Sequence, residues 1–155
     1  MADLTAQARP AVSALMSKDT DQLYAELAGR VKAMTINPSM SASFSPQLPQ
    51  LESLGTVDDL QAFGKAFFDR LNSQVYGLVC GTDNANAVER QKIIDAFGLG
   101  SDAVAAAIAG TLVASLAMAP AVATVVGALA VKLFFRAAHG AMCDFWKTKL
   151  PQTTG

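Results

Sequence analysis

The sequence predicts an all-α protein, a single-domain bundle of about five to six helices with an Ala/Gly-rich hydrophobic hairpin at its centre. Three observations lead there. Apolar residues recur at the helical period along most of the chain, and no stretch keeps the strict alternation of a half-buried strand. The 155 residues are 52% hydrophobic and only 16% charged, enough apolar material for one core and too little charge for a disordered chain. The 29 residues between Asp102 and Lys132 include none that is ionisable, and Pro120 divides them into two arms.

The elements follow in order. A short N-terminal helix is expected to be interrupted, or to begin again, at Pro10. Asp19 caps the next helix, with Gln22 three residues on, and Leu23, Leu27, Val31 and Met34 form its apolar stripe. Residues 36–55, with Pro38, Pro46 and Pro49 among serines, read as a long loop held over the body by Met40, Phe44, Leu48 and Leu51. Thr56 caps a strong helix with Asp58 and Asp59 at the positive end of its dipole; its expected stripe is Leu60, Phe63, Phe67, Leu71, Val75 and Leu78, and Gly81 its stop. From Asn84 to Phe97 a shorter helix is expected to expose Glu89, Arg90 and Lys92, to bury Val88, Ile93, Ile94 and Phe97, and to stop at Gly98. Ser101 caps the first hairpin arm, which runs to about Met118, and Pro120 fits the first turn of the second. That second helix is apolar from Ala121 to Val131, then sets Lys132, Arg136, His139 and Lys147 along one side until Pro151. The domain therefore covers 1–150, with the hairpin and its amphipathic C-terminal half at 102–149 and a tail at 151–155.

Length bears on where the hairpin lies. As helices the two arms span ~25 Å and ~18 Å, against ~30 Å of bilayer hydrocarbon. Alanine anchors weakly in lipid, whereas small residues let helices approach closely inside a bundle. A buried hairpin in a water-soluble bundle is the primary expectation. The alternative is a membrane-active protein, a pore former or effector whose 103–131 hairpin enters the bilayer. The organisation is similar to that of pore-forming colicins in architecture alone, because no motif accompanies it.

Charge excludes some partners. Met1 to Asp102 carries 8 basic and 12 acidic residues and Ala103 to Gly155 carries 4 and 1, too few basic groups for a nucleic-acid footprint. Cys80 and Cys143 lie in apolar helical patterns and read as buried free thiols in preference to a disulfide between them, which fits a cytoplasmic chain, membrane-associated under the alternative reading. His139 has only Cys143 at i+4, half of a metal site, so no metal or cofactor is expected. "GLGSDA" at 98–103 follows a helix rather than a strand, and Asp58 with Asp59 is explained by the dipole, so no catalytic set emerges and the chain is not read as an enzyme. What remains is a non-catalytic interaction module that associates with a protein partner or with itself. Its candidate interface is the aromatic and basic C-terminal region: Lys132, Phe135, Arg136, His139, Trp146 and Lys147.

Overall fold

Residues 4–46, 55–82 and 84–150 are described by a computed structural model, and among them the chain forms seven α-helices and no strand. Leu48 and Leu51, expected to pin the long loop, lie outside the described residues.

The first helix, α1 (Leu4–Leu15), runs through Pro10 without a break. Proline removes one backbone donor, so the Ala6 carbonyl loses its helical partner, but Ala6 and Pro10 are both exposed and water can take that bond. For α2 (Thr20–Ile36) the Asp19 capping box forms as the sequence indicates, Gln22 N–H donating to Asp19 Oδ1 at 2.8 Å and Gln22 Oε1 accepting from the Asp19 amide at 3.0 Å. Pro38 then starts a short 3₁₀ turn over Pro38–Ala42, and Phe44 packs against the core.

Thr56 caps α3 (Val57–Cys80), whose buried face is rotated from the expected stripe. Leu60, Val75 and Leu78 of that stripe are buried and Phe67 and Leu71 half-buried, but Gly64, Phe68, Asn72 and Val79 join the buried face and Phe63 is 40% exposed. Gly64 sets this rotation: a methyl added there would stand 1.8 Å from the Tyr24 carbonyl oxygen, so the two backbones touch and only glycine fits between them. In α4 (Ala87–Ala96) two expectations exchange places. Val88 is 72% exposed and Arg90 is buried. The reason is the end of α3, where Arg90 donates Nε to the Leu78 carbonyl (3.1 Å) and Nη2 to the Gly77 carbonyl (3.2 Å), which also accepts from the Gly81 N–H, so the guanidinium sits at the negative pole of that helix.

Gly100, at φ +106°, makes the turn assigned to Gly98, and it is Gly100 rather than Ser101 that occupies the cap of α5 (Ser101–Leu116). Ala117 takes a left-handed conformation (φ 51°), and its N–H and that of Met118 (3.2 Å) both bond back to the Leu112 carbonyl, closing the end of the helix. Pro120 then opens α6 (Pro120–Phe134) in its first turn. Both arms are buried all round, from Ala103 to Leu112 and from Ala121 to Val131. They meet at Gly127, where a methyl would stand 2.7 Å from the Ala105 carbonyl. The remaining helices wrap the pair: α1 and α4 lie on α5, and α2 lies on α6 and α3.

The second arm does not continue to Pro151. It stops at Phe134, and α7 (His139–Lys149) leaves at 91° to it. A straight helix would carry Trp146 into solvent. The bend instead stacks Trp146 on Phe134 (centroids 4.7 Å apart), sets it edge-on to Tyr76, and lets its Nε1 donate to Asn72 Oδ1 at 2.7 Å.

Arg30 closes the bundle at one end. It is 4% exposed, pairs through Nε with Glu26 (2.9 Å), and from Nη1 donates to the Phe44 carbonyl, the Ala121 carbonyl and Thr124 Oγ1, each at 2.9 Å. One guanidinium therefore joins α2, the 38–46 segment and the start of α6, with its charge matched by Glu26 and its Nε and Nη1 donors engaged.

Candidate functional site

The six residues expected at an interface divide. Lys132, Arg136 and Lys147 are exposed, Phe135 and His139 are half-buried, and Trp146 is fully buried. Trp146 is thus removed from any contact surface, because it fills the space between α3 and α6. The other aromatic groups have partners within the chain: Phe135 stacks on Phe97 (5.7 Å), and Phe145 carries Arg136 at 3.8 Å and Lys149 at 5.4 Å. The C-terminal face is cationic, with its rings already covered.

A more open apolar surface lies where the tip of the central hairpin emerges between α2 and α3. Met34, Phe67, Leu71, Gln74, Leu116, Met118, Ala119 and Val122 line a groove of ≈ 320 Å³, with Leu116 40% exposed. Phe63 stacks beside Phe67 (6.4 Å) and extends the groove along α3, with Arg70 at its edge and Lys32 over the Phe63 ring at 5.3 Å. Two methionines and four helices, α2, α3, α5 and α6, contribute, and a surface with flexible thioethers adapts its shape to what it meets. Sequence patterning missed it because its residues come from three separate segments, each of which reads as core. The one local signal was an apolar hairpin turn, "LAMAP" at 116–120, with no charged residue to mark a solvent-facing end.

The cysteines are not free thiols. Cys80, the last residue of α3, and Cys143, in α7, form a disulfide across 63 positions of sequence. His139 lies against them, with Nε2 3.5 Å from Cys143 Sγ. Nε2 is also 2.8 Å from the Val79 carbonyl, an acceptor only, so in this form Nε2 carries the ring proton. No family model, curated protein or solved structure matches this chain.

Proposed function

We propose that the chain is a non-catalytic helical interaction module whose partner lays one amphipathic helix into the groove at the hairpin tip. The observation that carries this reading is the groove itself, apolar at its floor from Met34 to Val122, with Arg70 and Lys32 at its Phe63–Phe67 extension. An apolar stripe fits the floor, and acidic residues beside the stripe fit the cationic border. The C-terminal basic face supports a secondary role at most, since its rings are already covered. The disulfide supports a working location in an oxidising compartment rather than the cytoplasm expected from free thiols.

A membrane-active role is the second reading, favoured by the uncharged hairpin that fills the centre of the bundle. Length weighs against a stable span: 16 and 15 residues give ~24 Å and ~23 Å of helix, short of the ~30 Å hydrocarbon layer. No single helix among the described residues is long and apolar enough to cross a membrane.

One experiment separates the two. A photo-crosslinking side chain at Leu116, with another at Val88 on a remote surface as control, is irradiated with the source extract and anionic vesicles together. A single protein adduct formed at Leu116, absent at Val88 and lost in Phe63→Glu, supports the module. Adducts with acyl chains, with vesicle flotation that resists high salt, replace it with the membrane reading. No adduct specific to Leu116 removes the groove as the site.

A further inference from the structure

We propose that Cys80, Cys143 and His139 form a redox-gated site for a thiophilic metal ion of the zinc type. It is closed by the disulfide and opened when a dithiol reductant cleaves it. Their three ligand atoms lie within 4.8 Å of one another, brought from the end of α3 and the first turns of α7. Two sulfurs and one imidazole nitrogen suit zinc, which binds thiolates at ~2.3 Å and histidine at ~2.0–2.1 Å; with no carboxylate in the set, calcium and magnesium have nothing to hold. Those bond lengths on a tetrahedral ion require sulfur and nitrogen to stand ~3.6 Å apart. Cys143 Sγ and His139 Nε2 are 3.5 Å apart already. The histidine and this cysteine are one helical turn apart on α7, so the backbone holds that edge of the site in place.

The gate follows from the chemistry. A disulfide has no thiolate to offer, so the oxidised chain has lost two of its three ligands. A dithiol donates two electrons to the Cys80–Cys143 bond and leaves as a cyclic disulfide, giving two thiols. Zinc then binds both sulfurs and releases their two protons to solvent. His139 ligates through Nε2 once its proton resides on Nδ1, exchanging the bond to the Val79 carbonyl for one to the metal. Three protein ligands leave a fourth position for water. Either state ties α7 to the end of α3, by a covalent bond in an oxidising compartment and by the ion in a reducing one. The buried seat of Trp146 is thereby kept in both.

The test uses the full chain, oxidised or reduced with a phosphine that takes oxygen from water and adds no competing thiol. Zinc is titrated against a chromophoric chelator, and cobalt is used in parallel for its thiolate charge-transfer band. Reduced protein should take up one equivalent of zinc, with release of two protons and a cobalt–thiolate band, and oxidised protein should take up none. His139→Gln should weaken binding at least ~10-fold, and Cys143→Ser should abolish the band. Equal uptake by oxidised and reduced chains, no uptake by reduced chain whether folded or not, or undiminished affinity in His139→Gln would each overturn the proposal. The oxidised wild type serves as the control should a cysteine variant fail to fold.

Discussion

Replacing Gly64 by alanine should destabilise the protein, while the same change at Gly77, thirteen residues along the same helix, should stabilise it. A Cβ at Gly64 falls 1.8 Å from the Tyr24 carbonyl oxygen and 2.6 Å from its carbon, both backbone atoms that no rotamer change can move. Contacts of that kind are essentially never closer than 3.0 Å, so α2 and α3 must part by about 1.2 Å. A gap of 0.5–1 Å already forfeits roughly a quarter to a half of each dispersion contact. That loss reaches the neighbours of Gly64, among them Leu60 and the Tyr24–Phe68 edge contact at 6.4 Å. Overpacking of this kind costs about 3 kcal/mol, from which ~1 kcal/mol of gained helix propensity is subtracted, leaving about 2 kcal/mol. For a chain of this length that lowers Tm by roughly 4–8 °C. At Gly77 nothing lies within 4 Å, so only the propensity gain remains, up to ~1 kcal/mol or about 2–4 °C upward. Thermal and urea unfolding of both variants measure the difference. Equal shifts, or a Gly64→Ala protein as stable as wild type, would refute the backbone contact that sets the rotation of α3.

Arg30→Met should cost about 3 kcal/mol and speed proteolysis within 38–46, because the Phe44 carbonyl is left with the Thr124 hydroxyl at 3.2 Å and Glu26 loses its nearest partner; unchanged cleavage would show that the segment is held by other contacts. Reducing the disulfide in metal-free buffer should lower unfolding stability by about 4 kcal/mol, the loop-closure value for 63 residues, read as a drop in urea midpoint against untreated protein. Burial, then the charges of Asp69 and Asp21, raise the Tyr24 phenol above its ordinary value of 10.0. The folded state thus holds the proton more tightly, and this stability is complete below pH 10 and lost as pH rises through the folded value. Urea unfolding from pH 9 to 11 should show a decline that is shallower in Tyr24→Phe; parallel curves would contradict it.

Helix content was legible because period and caps are local. Asp19 with Gln22, Thr56, and Pro120 at a first turn each act on amides within a few residues, and each does so here. The errors share one cause. Arg90 carries a charge, which locally reads as exposure, yet the Leu78 and Gly77 carbonyls at the negative end of α3 hold it inside. Phe63 matches the stripe of its helix, yet Gly64 turns that helix so that Phe68 is buried instead. Trp146 lies on an amphipathic pattern compatible with a surface, and the break after Phe134 takes it inside. For the candidate site, Cys143 and His139 are visible as an i, i+4 pair, but Cys80 is 63 positions away from Cys143 and joins them only through the docking of α7. The groove likewise needs Met34, Phe67 and Leu116 to meet from three helices.

By itself, then, the sequence determined an all-α chain around an uncharged Ala/Gly hairpin, because hydrophobic period, capping and the absence of charge are properties of neighbouring residues. The rotation of α3, the burial of Arg90 and Arg30, the turn into α7, the disulfide and the groove were decided by tertiary structure. Each depends on which backbone carbonyl or side chain from a distant segment arrives opposite, and local pattern carries no record of that.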